Sequence, residues 1–111
     1  MNPELKRAAE IAAEYIESFD HHDVSGESDP ETLRKRLQKD LTDDGLPPLQ
    51  VINELAEDAH DGLLNSAGGR FFGWVIGGAI PASIAADWLT SAWDQNAAAY
   101  ACSPSSAIIE E

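Results

Sequence analysis

GRFFGWVIGGAIPASIAADWLTSAWDQNAAAYACSPSSAIIEE, from Gly69 to Glu111, is the stretch on which the reading of this chain turns. It holds all three tryptophans, two of the three phenylalanines and, counting Gly68, both Gly-Gly pairs. Arg70 to Ile76, RFFGWVI, is a short aromatic and β-branched run between glycines. It reads as a strand, or as an extended segment buried on both sides. Gly77-Gly78 breaks it, and paired glycines permit positive φ and the close approach of a ligand or another backbone. Pro81 suits the first turn of a helix. From there to about Gln95, apolar residues recur at Ile84, Ala85, Trp88, Leu89, Ala92 and Trp93, a helical period with a broad stripe. Ser103-Pro104 then offers an N-cap serine and a first-turn proline for a further helix. Ala107, Ile108 and Ile109 begin its apolar side. That helix has room for only about two turns before Glu111. A chain truncated in this helix is expected, with a short docked terminal helix as the other reading.

The sequence before this stretch is acidic, amphipathic and helical. Asn2-Pro3-Glu4 combines a cap, a first-turn proline and an early acid. Leu5, Ala8, Ala12, Tyr15, Ile16 and Phe19 follow at spacings of three and four and make one apolar face. On its own that face wants a partner. His21-His22-Asp23 ends the helix. Adjacent histidines there read as surface groups compensating the helix dipole rather than as metal ligands, because a metal site needs three or four convergent groups. Asp29-Pro30-Glu31 opens a second helix carrying Arg34, Lys35, Arg36 and Lys39, the chain's basic cluster. It reads as a solvated face or as a contact to an acidic surface nearby. Thr42 to Pro48 is a linker with strong turn chemistry. Pro48 starts a third helix, with Leu49, Ile52, Leu55, Ala56 and Ala59 on one side. The chain alone is therefore expected to be mainly α: four to five helices, near 3–20, 30–39, 48–60 and 81–96 and from 104 onward, with one short extended strand near 70–76.

Composition narrows the function classes. Seven Lys and Arg stand against twenty Asp and Glu, a net charge of −13 in 111 residues. Such a chain repels phosphate backbones, and its basic cluster interleaves with no aromatic, so nucleic acid is excluded as a partner. The charge balance suits a halophilic source, where salt screens the excess carboxylates; an ordinary acidic protein is the other reading. Cys102 is the single cysteine. It has no neighbouring histidine to activate it and reads as a buried, inert thiol. No secretory signal pattern is visible, which makes a cytoplasmic location the default. Phe71 to Ala86 carries no charge, but it falls short of the roughly twenty apolar residues a span needs and is interrupted by Gly77-Gly78 and Pro81. No membrane association is expected.

RFFGWVIGG (Arg70 to Gly78), PASIAADWL (Pro81 to Leu89), SAWDQN (Ser91 to Asn96) and SPSSAIIEE (Ser103 to Glu111) together resemble the N-terminal part of the pyridoxal-phosphate-dependent group II amino-acid decarboxylases. The pieces stand in that family's order and nearly its spacing. Pro30 to Ser66 is similar more loosely, so the resemblance covers about three quarters of the chain.

The resemblance implies a complete enzyme of the α/β, fold-type-I transferase class, working as a homodimer on a small-molecule amino-acid substrate. Residues 1–66 would be a helical dimerisation flap. Residues 67–111 would supply a pocket-lining strand, the Gly-Gly loop and a helix. Phe72, Trp74, Val75, Gly77 and Gly78 would line the substrate pocket, and Asn96 and Ala98 would reach the partner's pocket. Gly77 stands where the aromatic-amino-acid branch has threonine, and Asn96 and Ala98 stand where it has bulkier apolar groups, which counts against an aromatic substrate. The cofactor would act as the electron sink for decarboxylation. The Schiff-base lysine, the acid facing the pyridine nitrogen and the phosphate cradle match no position here. Lys6, Lys35 and Lys39 lie in polar helices. The 111 residues alone are therefore expected to hold no catalytic residue, to bind no metal and to be inactive.

Two alternatives stay open. The aromatics of 71–76 are equally consistent with plain core packing. The chain as a whole could be a non-catalytic acidic helical interaction module, its acidity steering a basic partner.

Overall fold

Every helix in this chain opens on a proline. A computed structural model describes residues 1–111. It contains α1 (Pro3–Glu17), α2 (Pro30–Leu37), α3 (Pro48–Ala59), a single 3₁₀ turn at His60–Gly62, α4 (Pro81–Trp93) and α5 (Pro104–Ile109). Proline at the first helical position has φ already set and lacks only an N–H that would have no partner there. Two of the starts are also capped. Asn2 Oδ1 accepts from Glu4 N at 3.0 Å, and Asp29 Oδ1 accepts from Glu31 N at 2.9 Å and Thr32 N at 3.0 Å. The fold is mainly α, as the periodicity predicts.

The helix ends fall short of the expected ones for local reasons. α1 stops at Glu17 because Ser18 folds its hydroxyl back on the Tyr15 carbonyl at 2.7 Å. α3 tightens at its end into the 3₁₀ turn. α4 stops at Trp93 because Asp94 takes a left-handed backbone, φ 46°, while its N–H reaches Thr90 O. Ser103 holds the cap position of α5 but makes no cap bond. Its hydroxyl pairs instead with that of Ser106 at 2.6 Å.

The expected strand at 70–76 is absent. Residues 71–72 have no regular structure, 73–74 form a bend, and no strand exists anywhere in the chain for them to pair with. A strand is completed by a neighbour's hydrogen bonds, and composition cannot supply that neighbour. Trp74, at φ 47°, breaks the extension from within.

The chain divides into two compact units, Met1–Ile76 and Gly77–Glu111. In the first, α3 packs against both α1 and α2. Ala8, Ile11 and Ala12 of α1 and Ile52, Leu55 and Ala56 of α3 line a shared apolar groove of about 630 Å³. No apolar side chain is buried in either unit. The helices are tied by polar groups instead. Arg7 Nε donates to Asn53 Oδ1 at 2.7 Å, joining α1 to α3. Lys39 Nζ, just past α2, lies 3.1 Å from Glu54 and 2.5 Å from Asp58 of α3. Arg36 reaches Asp61 at 2.9 Å. The basic cluster of α2 is thus in contact with an acidic surface nearby. In the second unit, α4 is followed by a turn in which Cys102 N and Ser103 N both donate to Ala99 O, and α5 follows. Cys102 is exposed, contrary to the expectation of a buried thiol. No helix is long and apolar enough to cross a membrane.

Candidate functional site

The aromatic ribbon that follows Arg70 stands in solvent. Phe72 is 93% exposed and Trp74 82%, and Val75 is fully exposed. Such side chains usually lie inside, so an exposed run of them is informative. The backbone adds a second signal. Trp74 is held in the left-handed region, where a bulky residue costs about 1–2 kcal/mol. Within its unit the neighbouring ring is Phe71, at 6.4 Å between centroids and tilted by 42°. This environment does not fit plain core packing for Phe72 or Trp74 within the chain.

Gly77 and Gly78 begin the second unit. Neither has a positive φ, and a Cβ placed on either meets nothing within 4 Å. The chain's own backbone therefore does not require glycine at these two positions. Their effect is to leave bare backbone open to whatever approaches. Asn96 and Ala98 lie together in the same unit, past the end of α4. Asn96 Oδ1 accepts from Ala98 N at 3.0 Å, a local turn that fixes the amide side chain. Both residues are exposed. Phe72, Trp74 and Val75 thus belong to one unit, and Gly77, Gly78, Asn96 and Ala98 to the other.

A second cluster lies at the end of α1. His22 and His60, far apart in sequence, meet edge to face with ring centroids at 5.6 Å, and Tyr15 lies 6.1 Å from His22. With Asp23, Glu27 and Asp61 they line a cleft of about 210 Å³. The Glu27 carboxyl is pushed above its ordinary value, first by a hydrogen bond shared with Asp23 and then by that neighbour's charge. The hydrogen bond from Arg36 holds Asp61 below the usual aspartate value. On α3, Glu54 is lowered by its hydrogen bonds from Gln50 and then Lys39, and Lys39 is raised by Asp58 and then Glu54. No group of three or more His, Cys, Asp or Glu is arranged to hold a metal ion.

The lysines bear directly on the implied cofactor. Lys6 pairs with Glu10, Lys35 with Glu31, and Lys39 with Glu54 and Asp58. A Schiff-base lysine needs a depressed proton affinity from burial or a neighbouring cation. These three have carboxylate partners instead, and Lys39 is shifted the opposite way. None of the three lysines is therefore placed as a Schiff-base lysine would be.

No family model, curated protein or solved structure matches this chain.

Three residues that matter to the geometry carry no sequence signal of their own. Asn65 is only 4% exposed and donates through Nδ2 to Phe19 O at 2.7 Å. Arg70 reaches the carbonyls of Asp20 and His22. His60 joins the end of α1 only through the packing of α3. The Asn-Ser-Ala-Gly-Gly composition of 65–69 marks a turn, but not what the turn holds.

Proposed function

We propose that this chain is an N-terminal segment of a cytoplasmic, homodimeric, pyridoxal-phosphate-dependent amino-acid decarboxylase, to which it contributes dimer contacts and pocket lining. The observation that carries the reading is the ribbon. Phe72 and Trp74 are exposed, Trp74 on a left-handed backbone, and the glycines that follow in sequence are required by no contact within the chain. A segment of that kind suits a surface completed by other parts of an enzyme. The ordered RFFGWVIGG, PASIAADWL, SAWDQN and SPSSAIIEE pieces supply the family. In this reading the cofactor is held by residues outside the segment, and this chain's part is to bind, orient and cover the substrate.

Phe72, Trp74 and Val75 would exclude water from the reacting amino acid, and the bare backbone of Gly77-Gly78 would admit its carboxylate. Asn96 and Ala98 would face the partner's pocket.

The test is the reading frame beyond Glu111 in the source genome, followed by an assay of the whole product. Carbon dioxide release from an L-amino acid in the presence of pyridoxal phosphate is the expected result. A frame that closes at Glu111, or a whole product that forms no imine absorption with the cofactor, overturns the proposal. The second reading, an acidic helical interaction module, is favoured by one observation: the apolar groove between α1 and α3 has Glu14 among its lining residues. The closed frame would select it.

A further inference from the structure

α1 has no basic residue in its last turn, so nothing on the helix itself offsets the negative end of its dipole. Four carbonyls of the loop that follows it, from Phe19 to Val24, are met from one short stretch of chain about forty to fifty residues later. Asn65 Nδ2 donates to Phe19 O at 2.7 Å, and Asn65 N donates to Val24 O at 2.9 Å. Arg70 Nη2 donates to His22 O at 2.5 Å and, at the limit of hydrogen-bond length, to Asp20 O at 3.4 Å. The turn between Asn65 and Arg70 is closed by Gly68 N to Asn65 O at 3.4 Å and Phe71 N to Gly68 O at 3.2 Å. Gly68 is required here, because a Cβ would lie 2.8 Å from Asn65 Nδ2 and 2.9 Å from Oδ1. The stretch is a clasp on the loop after α1, and the aromatic ribbon begins at the residue after its last member.

We infer that Arg70 is a positioning residue: by binding the carbonyls of Asp20 and His22 it fixes the root of the Phe71–Val75 ribbon to the loop that follows α1, so that the direction in which Phe72 and Trp74 are offered is set by that loop. Arginine suits the task for two reasons. Its Nη2 carries two N–H donors, enough for both carbonyls, and its charge strengthens bonds to the carbonyls of the loop just past α1. That Phe72 and Trp74 are offered to a substrate pocket rests on the decarboxylase reading; the clasp does not.

The experiment takes the full chain as wild type, Arg70→Gln and Arg70→Lys, and measures backbone ¹⁵N relaxation. In Arg70→Gln the amides of residues 71–74 are expected to drop from ordered values to order parameters below about 0.6, while those of α1 and α3 stay near about 0.85. Arg70→Lys, which keeps the charge but loses the fork, is expected to fall between. Ribbon amides that keep their order in Arg70→Gln overturn the inference. So does a loss of order that spreads through α1 and α3, because Arg70 is then a strut for the whole unit. In the whole enzyme, Arg70→Gln is expected to raise KM about tenfold with kcat little changed, with Arg70→Lys partly restoring it. A fall in kcat at unchanged KM counts against positioning through the ribbon. If the wild-type whole protein turns over no amino acid, the decarboxylase reading falls, and the relaxation result still decides the clasp.

Discussion

Trp74→Gly separates a ribbon offered outward from a ribbon packed inside, because the two arrangements predict free energies of different size. Trp74 is 82% exposed, so removing the indole returns little apolar surface to water. The variant loses the tilted contact with Phe71, worth about 0.5–1.5 kcal/mol. It also loses about 0.5–1 kcal/mol because glycine surrenders more chain freedom on folding. Against these, it relieves the left-handed backbone at φ 47°, a gain of about 1–2 kcal/mol. The sum lies between a loss of about 1.5 kcal/mol and a gain of about 1 kcal/mol. A tryptophan packed in an interior costs about 3–5 kcal/mol when truncated. Urea unfolding of the full chain, followed by far-ultraviolet circular dichroism, is the assay, since it does not depend on the indole that has been removed. A stability loss above about 2 kcal/mol would refute the reasoning, because it would mean that the chain's own interior holds the indole.

Three further outcomes follow from the same geometry. Glu27 binds its proton more tightly folded than unfolded because of Asp23, so the folded chain loses stability as pH rises from 4.5 through the higher folded value. Glu27→Gln removes that loss and is expected to be more stable than wild type near about pH 7, with no difference by about pH 3; equal stability at neutral pH contradicts this. Asn65→Ala strips the Phe19 carbonyl of its buried donor and is expected to cost about 1–3 kcal/mol, a fall in Tm of several degrees in a calorimetric scan; an unchanged Tm would show that solvent replaces the bond. Gly26→Ala places a Cβ 3.1 Å from Asp61 O and 3.2 Å from the Gly62 carbonyl carbon, where Glu27 N and Ser28 N already bind Asp61 O. The displaced backbone outweighs the gain in chain stiffness by about 1 kcal/mol in denaturant titration, and a stabilised variant would mean the loop yields freely.

The candidate site was legible in part. The exposed aromatic ribbon could be located from RFFGWVI, since no other stretch concentrates apolar rings in this way. Its conformation could not be read. A run of aromatic and β-branched residues has the same composition in a strand as in an unpaired ribbon, and the distinction lies in whether a neighbouring strand exists. Gly77-Gly78 shows the same limit: glycine permits a left-handed turn without producing one. The pairing of His22 with His60 and the clasp on the loop after α1 by Asn65 and Arg70 were invisible, because each joins groups about forty to fifty residues apart through the packing of α3 and the turn after it.

The sequence by itself determined the helices of this protein. Proline at each first position, Asn2 and Asp29 at two caps, and three-to-four apolar spacing act within one or two turns, so nothing distant is needed to satisfy them. Only the tertiary structure decided where α1 ends up tied, that residues 70–76 remain unpaired, and that Trp74 faces outward. Those outcomes depend on hydrogen-bond partners and neighbouring surfaces contributed by remote parts of the chain, and no local pattern encodes a remote partner's position.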